Sequence, residues 1–134
     1  METNNTGYIV FAHGSSIESA NEAVRIVAAD FASKGLLQTV EAAFLEGGKP
    51  DLAGALEAMA DKVSRVVVVP YFLTLGLHLQ RDLPRLIDQV KMAHPGLQIE
   101  VSPPLDQHPA LIDALLDRAL NPSQPLKDEA CKPA

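Results

Sequence analysis

Short apolar runs alternate along the chain with stretches whose apolar residues recur every three or four positions. Residues 8–12, Tyr-Ile-Val-Phe-Ala, form a first run that stops at His13-Gly14-Ser15-Ser16. Glycine and serine supply turn and capping chemistry there, which predicts a buried strand entering a helix. From Glu18 the pattern is helical: Ala20, Val24, Val27, Ala28 and Phe31 share one side while Glu22, Arg25 and Asp30 face water, and Lys34-Gly35 closes the helix. Residues 39–45 give a second strand, followed by the loop Glu46-Gly47-Gly48-Lys49-Pro50 and a helix from Asp51 to Lys62. Val66 to Leu73 is the most apolar and β-branched run and reads as a central strand buried on both faces.

Pro84 constrains where the third helix can begin. A proline deep in a helix loses a hydrogen bond and clashes with the preceding turn, so this helix is expected to start at Asp82 as N-cap, with Pro84 in its first turn. Thr74 to Arg81, with Gly76 and His78, is then a connecting loop. Leu83, Leu86, Ile87 and Val90 form the core stripe, and His94-Pro95-Gly96 stops the helix. A fourth strand, Leu97 to Val101, and a last helix, Pro109 to Leu120, complete one domain over residues 7–120, leaving 121–134 as a flexible tail.

Alternating strands and helices predict an α/β fold: a four-stranded parallel sheet with right-handed crossovers and helices on both faces. A flavodoxin-like order 2-1-3-4 puts the two most apolar strands, 1 and 3, inside.

Composition narrows the function. The chain has 134 residues, 47% of them hydrophobic, with no Trp; that supports one core of aliphatic side chains. A net charge of −6 without a basic run argues against nucleic acid. No apolar run is long enough to span a bilayer and the N-terminus lacks a secretory pattern, so no membrane and a cytoplasmic location are expected. The single cysteine, Cys131, excludes an intrachain disulfide.

Ligands of open α/β sheets bind beyond the carboxyl ends of the strands, where the strand order reverses. In the order above that point lies between strands 1 and 3. His13 closes strand 1, His78 lies just past strand 3, and Glu46 closes the neighbouring strand 2. A His–His–Glu set suits Fe, Co, Ni or Zn divalent ions, and the three are expected to gather as a cluster. The alternatives are a turn-capping His13 and a solvated loop carboxylate at Glu46. Asp82 is either a partner that orients His78 or simply the helix N-cap. Arg81 and Arg85 flank the mouth as contacts for substrate carboxylates or as solvating charges paired with Asp82 or Asp88. Ser15, at the helix start behind His13, is a further candidate binding residue, whereas His94 and His108 read as helix-end residues.

Three blocks carry a family resemblance: His13-Gly14-Ser15 with Asn21 after it, Val40-Glu41-Ala42-Ala43-Phe44-Leu45-Glu46, and Pro70 to His78 leading to Asp82-Leu83-Pro84. Over residues 7–120 the chain resembles the short sirohydrochlorin cobaltochelatases, members of the class II tetrapyrrole chelatases. The resemblance implies ATP-independent insertion of a divalent metal substrate (Co²⁺, alternatively Ni²⁺ or Fe²⁺) into sirohydrochlorin, with no organic cofactor. It also implies a homodimer, in which each chain corresponds to half of a two-lobed chelatase. His13 and His78 match the family's metal-binding and catalytic histidines, and Glu46 matches an acidic third partner. One departure is Ser16, where the family commonly carries an arginine. The rival readings are a non-catalytic metal- or tetrapyrrole-binding protein and a phosphate binder using Gly14-Ser15-Ser16. The latter lacks any P-loop or dinucleotide glycine pattern.

Overall fold

The computed structural model describes residues 5–123. Cys131 and all of the expected tail beyond residue 123 lie outside the described residues. Eight elements alternate: β1 (Thr6–Ala12), α1 (Glu18–Gly35), β2 (Val40–Phe44), α2 (Leu52–Ala60), β3 (Arg65–Pro70), α3 (Leu77–Ala93), β4 (Gln98–Val101) and α4 (Pro109–Leu120). The sheet is four-stranded with order β2-β1-β3-β4, all pairs parallel, as the periodicity predicts. β1 pairs Tyr8 to Ala12 with Val40 to Phe44 on one side and Thr6 to Phe11 with Arg65 to Pro70 on the other.

Strand alternation splits the core in two. Ile9, Phe11, Val66, Val68 and Ile99 face α2 and α3, meeting Leu56, Met59, Leu83 and Ile87. Val10, Ala12, Ala42 and Phe44 face α1 through Ala28, Val24 and Phe31. Each large side chain buried this way contributes about 1.5–3 kcal/mol, so both faces hold the sheet in register. Asp51, expected as the first residue of the second helix, is its N-cap, the carboxylate accepting from the Gly54 N–H at 2.8 Å. His108 caps α4 by accepting from the Ala110 N–H through Nδ1, and His94 ends α3 with Nε2 2.6 Å from Glu57. No helix among the described residues is long and apolar enough to cross a membrane.

Two boundaries differ from the sequence expectation by three residues or more. β3 stops at Pro70 rather than Leu73: the Tyr71 N–H makes a last bond to the Phe11 carbonyl of β1, and the Phe72 and Leu73 carbonyls instead accept from Leu105 and Asp106. More consequentially, α3 begins at Leu77 with Gly76 as N-cap, so Pro84 lies inside the helix and Asp82 is not its cap. The reason is a longer apolar stripe. Leu79 is buried with Leu83, Ile87 and Val90, one turn upstream of where the proline suggested the stripe began. The carbonyl that loses its N–H partner to Pro84 is that of Gln80, an exposed residue. Burial of Leu79 thus competes with a proline penalty of about 3 kcal/mol. The Gln80 side chain helps by donating to the Leu75 carbonyl at 2.9 Å.

Leu79→Ala is therefore expected to cost about 2–4 kcal/mol in urea denaturation, the range for a docked core leucine. A loss within about 0.5 kcal/mol, typical of an exposed loop, would restore the shorter helix.

Candidate functional site

The mouth of the sheet is built by two tight loops, His13 to Ile17 after β1 and Leu45 to Pro50 after β2. The backbone carries their ladder past the strand ends, with the Leu45 N–H donating to the Ala12 carbonyl at 2.9 Å and the Glu46 N–H to the His13 carbonyl at 3.0 Å. Gly14 adopts φ +91° and lies so close that a Cβ there would stand 1.7 Å from the Glu46 carbonyl oxygen. Gly47 has φ +75° with its Cβ position 2.8 Å from Ser15 backbone atoms. Glycine is needed at both points, by conformation and by contact.

The clasp brings His13 and Glu46 together. His13 Nε2 is 3.8 Å from a Glu46 carboxylate oxygen, with the two side chains 62% and 70% exposed. His13 Nδ1 is 3.2 Å from the Gly14 carbonyl. A carbonyl only accepts, so in a neutral ring Nδ1 carries the proton and Nε2 is the unprotonated nitrogen. An imidazole nitrogen and a carboxylate oxygen are donor types that divalent transition-metal ions accept. The edge of the Phe72 ring, 6.4 Å between centroids, flanks the imidazole.

His78 is not joined to this pair. It stands exposed in the first turn of α3, and no three His, Cys, Asp or Glu among the described residues gather closely enough to hold a metal ion. Of the three residues expected to gather, His13 and Glu46 face each other in this structure and His78 lies on a separate element. The longer α3 has another effect: His78, Arg81 and Arg85 follow at helical spacings of three and four and form one exposed stripe. Neither arginine is ion-paired to Asp82 or Asp88 among the described residues, and Asp82 makes no bond to His78.

Ser15 is spent locally. Its Oγ accepts from the Ile17 N–H at 3.0 Å, and its own N–H and carbonyl are held by the Asn21 side chain. Arg25 adds a second clasp. It pairs with Glu18 and Glu22, reaches the Lys49 carbonyl and lies over the Phe44 ring. Its hydrogen bond to Glu18 holds that carboxyl below the ordinary carboxylate range.

Sequence reasoning missed the apolar apron. Ile17, Leu45, Tyr71, Leu73 and Leu77 are all exposed large hydrophobics, and each lies in a loop or helix start beyond a strand's carboxyl end. The available signal was an apolar run at 71–73 that outlasts its strand. Beneath the apron, between α2 and α3, a cavity of about 120 Å³ is lined by Phe11, Leu45, Leu79 and Asp82 among others. It is too small for a macrocycle, so a flat ligand would lie on the open face.

An open parallel α/β sheet that carries a histidine–carboxylate pair at its carboxyl edge places polar groups where folds of this class bind their ligands. The sequence model of the CbiX family matches residues 7–121, and the chain belongs to the CbiX family. It is similar to a sirohydrochlorin cobaltochelatase of Methanococcoides burtonii, 30% identical over 85% of this chain and 94% of that protein. A second such relative, from Saccharolobus solfataricus, is 37% identical over 72% of this chain and 77% of that one. Among solved structures, a CbiX protein of Marinobacter aquaeolei named for cobalamin biosynthesis superposes with a TM-score of 0.73 at 28% identity, covering 88% of this chain and 99% of that chain. SirB from Bacillus subtilis, solved with Fe³⁺, shares the fold at a TM-score of 0.80 and 21% identity; 90% of this chain matches 48% of that one.

Gly14→Ala is expected to lower stability by about 3 kcal/mol, combining left-handed strain with the collision at Glu46. Chemical denaturation measures this; a loss below about 1 kcal/mol would mean that the two loops part freely.

Proposed function

We propose that the chain is an enzyme that inserts a divalent metal ion into sirohydrochlorin without ATP, in line with the cobaltochelatase names of its relatives. The observation that carries this reading is the His13–Glu46 pair, whose facing donors are open to solvent at an apolar mouth. Cobalt is the favoured metal substrate, with Ni²⁺ and Fe²⁺ as alternatives, and no organic cofactor is required. Insertion releases two pyrrole protons while the ion sheds water. His13 Nε2 holds the ion and then accepts a proton, and Glu46 passes protons outward. His78 meets the macrocycle from α3, while Arg81 and Arg85 face its carboxylates. The working unit is residues 7–120, acting in the cytoplasm.

The proposed assembly is a homodimer. α4 buries no residue, and its Ile112, Leu115, Leu116 and Leu120 are 53–71% exposed along one apolar stripe. On the α1 side of the sheet Val67 and Val69 are only half-buried, because α1 packs over β1 and β2. Two such faces on one chain match each other between copies, and a second copy would also close the open mouth over a macrocycle.

Metal-free sirohydrochlorin mixed with Co²⁺, Ni²⁺ or Fe²⁺ and followed by absorbance tests the activity; no acceleration over the protein-free rate removes the enzyme reading in favour of a carrier. His13→Ala and His78→Ala are each expected to lower kcat/KM by about a hundredfold or more. Activity retained in either variant removes that residue from the mechanism.

For the assembly, sedimentation of the full chain should give a dimer that Leu115→Glu converts to a monomer. A wild-type monomer at assay concentrations refutes it.

A further inference from the structure

We infer that Asn21 is the positioning residue of the His13–Glu46 pair, setting the separation across which the ion is held. The inference rests on the proposed metal-handling role of that pair. Asn21 lies in the first turn of α1 and is 1% exposed. Its Oδ1 accepts from the Ser15 N–H at 2.9 Å, and its Nδ2 donates to the Ser15 carbonyl at 2.8 Å and to the Gly47 carbonyl at 3.1 Å. A more distant Glu18 oxygen, at 3.4 Å, completes its surroundings.

One buried amide therefore grips a residue two places after His13 and a residue directly after Glu46. It does so from a helix that is itself packed on the sheet. The amide is not spent on capping: the N-cap of α1 is Ile17, which has no side-chain cap bond. Nor is there slack around it, since a Cβ on Gly48 would stand 3.0 Å from Asn21 Nδ2 and 2.9 Å from the Phe44 ring. His13 and Glu46 have exposed side chains, so their relative placement depends on their backbones. Asn21 is the side chain that bonds both loops at once. An ion bridging two donors is sensitive to tenths of an ångström in their spacing, and supporting residues of this kind govern affinity without touching the metal.

Asn21→Asp tests this at constant volume. The carboxylate still accepts from the Ser15 N–H, but it places an oxygen against the Ser15 and Gly47 carbonyls, which pushes the loops apart. The full chain is titrated with Co²⁺ alone, then assayed for kcat and KM with sirohydrochlorin, with thermal melts alongside. Cobalt affinity and kcat are expected to fall about 10- to 100-fold, while KM for sirohydrochlorin stays within about twofold because the apron is untouched. A variant that melts earlier but keeps wild-type cobalt affinity and kcat while folded overturns the inference and leaves Asn21 a structural residue. Should Asn21→Asp fail to fold, Asn21→Ser, which leaves room for a water between the loops, is read by the same measurements and criteria. His13→Ala separates the two levels. If it binds and inserts cobalt like the wild type, the underlying reading falls and the inference with it. If it is inactive while Asn21→Asp is unchanged, only the inference falls.

Discussion

The hydrogen-bond ladder between β1 and β2 does not end with the strands. Continuing the register that pairs Ala12 with Phe44 would set Gly14 opposite Glu46, and the bonds from Leu45 to Ala12 and from Glu46 to His13 hold the two segments together up to that point. There the two chain segments come too close for any side chain at Gly14. Both loops must then turn through left-handed glycine conformations, Gly14 in one and Gly47 in the other. This contact makes His13 and Glu46 neighbours, fixes where α1 starts, and creates the buried space that the Asn21 amide fills.

The second support of the mouth is α3, and its start is decided by a contest between one residue and several. Pro84 opposes a helix running through it, whereas Leu79 extends the stripe of Leu83, Ile87 and Val90 into the core shared with α2. The stripe prevails, and the result reaches the site. A loop at 74–81 would leave His78 free to turn toward His13. A helix from Leu77 holds it on the same exposed stripe as Arg81 and Arg85.

Most of the architecture is legible in the sequence because it rests on periodicity. Val66 to Val69 could only be an interior strand, and the strand order follows from placing it beside Tyr8 to Ala12. The His13–Glu46 pair is legible for the same reason, since strand ends at a reversal of order are brought together by topology. Less is legible where local and tertiary preferences disagree. Pro84 is a strong local signal, and the burial of Leu79 that overrides it is a tertiary fact. The role of Asn21 is hidden more completely. Its partners are backbone atoms of Ser15 and Gly47, which have no side-chain signature, so the sequence marks Asn21 only as part of the block after His13 and not by what it holds. Tyr71 and Leu73 look like strand because they are apolar, although their exposure follows from the ladder ending at Pro70.

The openness of the pair bears on what it would do with a metal. A resident structural ion is enclosed by three or four protein donors, whereas the donors that face each other at this mouth are His13 Nε2 and one Glu46 carboxylate, both largely solvated. On the proposed reading, an ion held there keeps most of its coordination sphere as water, which pyrrole nitrogens can replace one at a time. The Nδ1–H bond to the Gly14 carbonyl keeps the imidazole in the tautomer that can ligate through Nε2, and once the ion has moved on, the same lone pair is free to take a proton. Adding His78 to the same cage would strengthen the hold on the ion and slow its release. On the proposed reading His78 stands apart on α3, and an ion held by two exposed donors is released more readily than one enclosed by three.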